Sequence, residues 1–207
     1  MNPPNPIFSQ LADDARIERA RVALEANGIK VIVTDTPEEA KAKALELIPP
    51  GAEVMTMTSK TLEAIGLATV LNESGNYDAI RSKLKQFDMK TQAREMRKLA
   101  AAPDWAVGSI HAVTEDGHVM VVSGTGSQLA AYVYTGGQVL WVVGTQKIVK
   151  DLTEAKERID QYTFPLEDAR VRDAHGFGSV ISKVLIFNKE TKPDRITIIF
   201  VKANLGF

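Results

Sequence analysis

The spacing of apolar residues changes several times along the chain, and each change marks an element. Over 7–27, Ile17, Ala20 and Leu24 recur at helical spacing and Asn27-Gly28 supplies a left-handed stop, so a helix is expected there. Residues 29–34 form a β-branched run and read as a strand. Thr36-Pro37-Glu38-Glu39 is a capping box with proline at the first helical position; it opens a helix that runs to Ile48 and stops at Pro49-Pro50. A strand over 53–57 follows, and Thr58-Ser59 caps a short helix ending near Gly66. Residues 75–102 read as mostly helical, and Pro103 separates them from a strand over 104–107.

Residues 108–150 carry the most information. Two strands flank Asp116-Gly117, a pair favoured in two-residue hairpins. The second strand, 119–122, runs into Ser123-Gly124-Thr125-Gly126-Ser127 and a short apolar helix, and a strand over 139–143 leads to Gly144-Thr145-Gln146-Lys147. A helix is expected over 152–162, broken at Phe164-Pro165 and followed by another over 166–173. Residues 180–187 and 195–201 read as a closing strand pair turning at Pro193-Asp194. Strands alternating with helices predict an α/β fold with a mostly parallel sheet covered by helices. The expected organisation is an N-terminal helical segment, 1–28, packed on an α/β domain, 29–207.

Composition narrows the function classes. The 207 residues carry 26 acids against 25 bases, a net charge of −1, so no global field favours nucleic acid or an anionic membrane. No apolar run reaches the ~20 residues needed to span a bilayer, and Met1-Asn2-Pro3-Pro4-Asn5-Pro6 lacks a signal-peptide pattern, so a cytoplasmic protein is expected. With no cysteine, and His111, His118 and His175 outside any metal-ligand spacing, no metal or other cofactor is expected on this chain.

Charge is unevenly placed. From Gly117 to Lys150 there is no Asp or Glu. A glycine- and hydroxyl-rich loop opening a helix inside that stretch points to a site for a small anion, a carboxylate or a phosphate. Ser123, Gly124, Thr125, Gly126 and Ser127 are its candidate donors, with Lys147 beyond the end of the next strand. The alternative is a plain strand-to-helix turn that needs glycine, with a solvated lysine nearby. The loop is not a dinucleotide fingerprint, since Leu129 stands where the third glycine would be, and Lys147 is not a P-loop lysine, since Ile148 follows it. Ser59 and Thr61 put further hydroxyls at another strand-to-helix junction, where capping accounts for one of them.

Four segments together resemble a known family: Ser59-Lys60-Thr61-Leu62-Glu63-Ala64-Ile65-Gly66-Leu67, Ala112-Val113-Thr114-Glu115-Asp116-Gly117, Gly144-Thr145-Gln146-Lys147-Ile148-Val149, and the tail from Arg195-Ile196-Thr197 to Asn204-Leu205-Gly206-Phe207. In order and spacing they resemble the LUD domain, the lactate-utilisation protein C type family. The resemblance implies a fold like that of CoA transferases, ribose-phosphate isomerase and glucosamine-phosphate deaminase, with a relative in formyltetrahydrofolate cyclo-ligase. It also implies a role in oxidising L-lactate to pyruvate alongside iron–sulfur partner proteins. Many members carry a cysteine-rich segment where this chain has Ala174-His175-Gly176-Phe177-Gly178-Ser179, so redox centres would belong to partners. In CoA transferases of related fold a Glu-x-Gly glutamate attacks the acyl-CoA, which makes Glu115, before Asp116-Gly117, a candidate catalytic nucleophile; hairpin geometry is the competing explanation. The resemblance thus leaves open a lactate-pathway component, a stand-alone CoA or sugar-phosphate enzyme, and a nucleotide or folate binder.

Overall fold

Ile196–Val201 is buried along its whole length, which in a strand requires cover on both faces. A computed structural model describes residues 3–207 and puts this strand inside a parallel sheet; Met1 and Asn2 lie outside the described residues. In chain order the strands are β1 (Lys30–Thr34), β2 (Glu53–Thr56), β3 (Asp78–Ala79), β4 (Trp105–Gly108), β5 (Ala112–Thr114), β6 (Val119–Ser123), β7 (Gln138–Gly144), β8 (Ile148–Val149), β9 (Lys183–Phe187) and β10 (Ile196–Val201). The helices are α1 (Asp14–Ala26), α2 (Pro37–Leu47), α3 (Lys60–Ala64), α4 (Leu67–Glu73), α5 (Ile80–Leu84), α6 (Ala93–Ala101), α7 (Leu152–Arg158) and α8 (Phe164–His175).

One sheet is wholly parallel, in the order β1-β10-β7-β4-β2-β3; the other is mixed, in the order β8-β5-β6-β9. The α/β fold with a mostly parallel sheet flanked by helices is therefore as expected. Alternation along β7 and β10 divides the core. Val139, Trp141, Val143, Ile198 and Phe200 pack with α1 and the second sheet, whereas Leu140, Val142, Ile199 and Val201 pack with α2, α3 and α4. Trp141 joins the sheets, edge-on to Tyr132 and Phe187 at 5.3 Å each. Ile17, Ala20 and Leu24 of α1 belong to the same cluster as Val113, Val119 and Trp141.

Several elements differ from expectation for local reasons. Asp13 accepts the Arg16 amide at 2.8 Å and starts α1 at Asp14, so the expected helix over 7–27 is instead a 3-10 turn, Pro6–Ser9, then α1. The stretch 75–102 splits into β3, α5 and α6. The turn at Glu115-Asp116-Gly117 has three residues: Gly117 donates to the Thr114 carbonyl and takes φ +88°. A Cβ on Gly117 would lie 2.7 Å from the Ala23 carbonyl carbon, so this position requires glycine.

Pro165 does not break the helix. Ile159–Thr163 widens into a π turn, and α7, the π turn and α8 run on continuously. Widening accommodates a proline ring that would press on the carbonyl four residues back in a regular helix. The closing strands do not pair with each other either. β9 lies antiparallel to β6, and β10 sits between β1 and β7. The uniformly apolar β10 is suited to a doubly covered sheet, whereas Val184 and Ile186 on β9 stay exposed.

Candidate functional site: a cationic cleft at the strand ends

β2, β4 and β7 are neighbours in the parallel sheet, and their carboxyl ends deliver Met57-Thr58-Ser59, Ser109 and Lys147 to one cleft of about 380 Å³. The turn after β6 closes it on another side with Ser123, Gly124, Thr125 and Ser127, and α5 adds Arg81. Ser59, Thr61, Ser123, Gly124, Thr125, Ser127 and Lys147 thus meet at one site, although they come from three separate segments of the chain.

Lys147 is the floor of the cleft. A 3-10 turn, Thr145–Lys147, follows β7 and turns the side chain inward, leaving it 1% exposed. Nζ stands 3.1 Å from Thr61 Oγ1, 3.1 Å from Ser109 Oγ and 3.1 Å from the Ile110 carbonyl oxygen. All three partners are neutral. Burial, and then the Arg158 guanidinium, holds the Lys147 pKa well below the ordinary lysine value.

Two further cations share the setting. Arg158 lies fully buried below the cleft and donates to the carbonyls of His111 at 2.7 Å and Gln146 at 3.3 Å, and to Thr163 Oγ1 at 2.8 Å. Among the described residues its Nη2 has no partner, and burial pulls its pKa down to about 10. Arg81 donates to the Thr56 carbonyl at 2.8 Å; burial lowers its pKa against a smaller opposing pull from Glu63. Among the described residues none of the three has a carboxylate within 4.0 Å. Glu167 is the acid among the lining residues, and Arg170 already holds it at 2.7 Å.

His111 edges the cleft as a neutral donor. Its Nδ1 accepts the Val122 amide at 3.2 Å, so the proton of the neutral ring sits on Nε2. Burial, with Lys147 and Arg158 nearby, pushes its pKa down to about 3.

The turn after β6 differs from the expected anion cradle. Ser123 Oγ accepts the Gly126 amide at 2.8 Å, and Thr125 Oγ1 accepts the Ser127 amide at 3.3 Å, so two of its amides are capped internally. The helical piece beyond, Ala131–Thr135, is a single π turn and too short for a useful dipole. Gly126 is not among the lining residues; it turns at φ +82° against Lys183. The turn contributes hydroxyls and a wall; the cationic charge comes from Arg81 and, beneath the cleft, Arg158, and Lys147 adds a buried amine that can take up a proton beside an anion.

Glu115 is absent from the cleft wall. Arg16 Nε and Arg19 Nε each meet its carboxylate at 2.6 Å, tying α1 to the β5–β6 hairpin. Partial burial works to raise its pKa, but hydrogen bonds from the two guanidiniums outweigh this and hold it below the ordinary value. A carboxylate so occupied is a poor nucleophile, and the sequence signal at Glu115-Asp116-Gly117 reports a hairpin and an ion-paired anchor.

Sequence reasoning missed Ser109 and Arg81. Ser109 directly follows the glycine that ends β4, and Lys147 lies three residues after Gly144 at the end of β7, so a strand-end glycine precedes both. A Cβ on Gly108 would lie 1.9 Å from Tyr132 Oη, so the glycine lets Tyr132 pack beneath Ser109. Arg81 sits on a five-residue helix whose pattern gives no sign of it.

The LUD domain family model matches residues 17–204. The chain belongs to the LUD domain family. This LUD domain is also similar to a crystal structure of a DUF162 family protein from Deinococcus radiodurans, at 13% identity and a TM-score of 0.57, covering 93% of this chain and 99% of that one. Weaker likenesses are to a D-ribose-5-phosphate isomerase in complex with phospho-erythronic acid (15% identity, 80% and 94% covered, TM-score 0.39) and to eIF2B beta from Chaetomium thermophilum (17%, 57% and 44%, TM-score 0.37). A search of curated proteins returned no match. Among the described residues no helix is long and apolar enough to cross a membrane.

Proposed function

We propose that the cleft binds a small anionic organic molecule (a carboxylate, a phosphate or a CoA-linked acid) between Lys147 and the 123–127 turn, and that the protein is a component of L-lactate or related organic-acid utilisation. The observation that carries the binding half is Lys147, buried against three neutral oxygens with no carboxylate beside it. A bound anion supplies the countercharge that Lys147 lacks among the described residues, and Arg81 and the hydroxyls of Ser59 and Ser127 add donors along its path, whereas those of Ser123 and Thr125 donate to Gln128 and Ser127. The pathway half rests on LUD family membership. With no cysteine in the chain, electron-carrying clusters in such a pathway would sit on iron–sulfur partner proteins.

Thermal unfolding with L-lactate, pyruvate, inorganic phosphate and CoA tests the binding half. A ligand present at 100 times its dissociation constant stabilises the protein by about 2.7 kcal/mol. No shift with any of the four would reject it. Normal growth on lactate by a strain lacking the protein would reject the pathway half.

A further inference from the structure

The hydrogen atoms around Lys147 are fixed by their partners, and they leave one place for a lone pair. Thr61 Oγ1 donates its proton to the Leu205 carbonyl at 3.0 Å, so toward Lys147 it can only accept. The Ile110 carbonyl also can only accept. These two contacts consume both hydrogens of a neutral amine. The third neighbour, Ser109 Oγ at 3.1 Å, then faces the amine's lone pair with its own proton available to donate. Unlike Lys147, Ser109 is only half-buried, and it lines the open cleft at the carboxyl end of β4.

We propose that Ser109 and Lys147 form a nucleophile–base pair, with Ser109 Oγ attacking acyl compounds that enter the cleft and Lys147 Nζ accepting its proton. Desolvation without a carboxylate, beside the Arg158 guanidinium, keeps the amine in the unprotonated form this requires. As the Oγ–carbon bond forms, the serine proton moves to Nζ and the carbonyl electron pair moves onto its oxygen. Collapse expels the leaving alcohol, amine or thiol, which takes the proton back from Nζ. Water then attacks the acyl-serine, gives a proton to Nζ, and the carboxylic acid departs as Oγ recovers that proton. His111, held with its proton on Nε2, and Arg81 are the lining donors available for the charged oxygen or for an acidic substrate. An inorganic anion resting on Nζ draws a proton onto the amine and so switches the base off; one group serves both roles, but not at the same moment.

Fluorophosphonate and the smaller phenylmethylsulfonyl fluoride, applied to the intact protein with adduct mapping by mass spectrometry, test this directly. The expected result is modification of Ser109 by at least one reagent, at a rate that rises with pH and levels off below the usual lysine range. Lys147→Met should slow it about 100-fold, the lower end of general-base contributions, while Ser74→Ala, at an exposed serine, should not. Absence of any Ser109 adduct with both reagents would overturn the proposal. So would an adduct whose rate in wild type climbs without levelling up to pH 10, a result that does not depend on the variant folding. Because these reagents are neutral, and anion binding is read separately by thermal shift, either reading can fail alone.

Discussion

Arg158 donates to the backbone carbonyl of His111 at 2.7 Å, and through this bond the long helix behind the second sheet grips the strand segment that edges the cleft. The same guanidinium reaches Gln146, the residue before Lys147. One buried cation therefore supports two walls of the site and adds positive potential beneath it.

Replacing that cation should cost stability. Arg158→Met leaves the carbonyls of His111 and Gln146 without their donor, and a loss of about 3 kcal/mol is expected from two buried acceptors losing a charged partner. Urea unfolding measures it. A change within 0.5 kcal/mol, the order expected for an ordinary surface site, would show that Arg158 is dispensable to the walls.

Lys147→Met should behave oppositely in the ligand-free protein. The folded pKa of Lys147 lies well below the unfolded value of 10.5, so between those two values the folded protein holds fewer protons than the unfolded chain. Stability contributed at this position therefore rises with pH across that window, and the penalty is fully present below it. The variant removes the penalty, so its stability relative to wild type should be highest at low pH and decline as pH rises, while phosphate and lactate binding disappear. Parallel pH–stability curves would contradict this.

Glu115→Gln separates anchor from catalyst. The folded pKa of Glu115 is depressed, so its contribution is present above the unfolded value of 4.5 and is lost as pH falls through the folded value. The variant should lose about 1 kcal/mol at neutral pH, as expected for ion pairs whose arginines are partly exposed, and the difference should shrink in acid. Ligand affinity should not change. Loss of binding or of any turnover at full stability would restore Glu115 to the site.

Arg81→Met should weaken anion binding by about 1–3 kcal/mol, the range for losing a charged hydrogen bond. Calorimetric titration with the anion that gives the largest thermal shift measures it. Unchanged affinity would remove Arg81 from the ligand's path.

How much of this was legible in the sequence depended on whether the signal was local. Thr36 and Ser59 cap their helices as their motifs require, and the glycines before Ser109 and Lys147 mark strand ends in the chain itself. The meeting of Lys147 with Thr61 is not local: it depends on β4 lying between β2 and β7, a strand order that periodicity does not encode. Nor does composition show that Lys147 is buried. A lysine in an acid-free stretch reads equally well as solvated, and the deciding fact is the set of three neutral oxygens contributed by distant segments. Pro165 misled because a widened turn before it lets the helix run on, and nothing in the local sequence marks that widening. β9 and β10 misled because adjacency in sequence is a weaker constraint than the need of an apolar strand for cover on both faces.

The central claim is that Lys147 is an uncompensated buried amine that gains its countercharge from a ligand. NMR titration of the lysine Cε carbons, with Lys147 assigned through the Lys147→Met spectrum, reports on that amine alone. Without anion, Lys147 should titrate far below the other lysines, and adding phosphate or L-lactate should move its midpoint upward. A Lys147 midpoint near 10.5 that neither anion shifts would contradict the account.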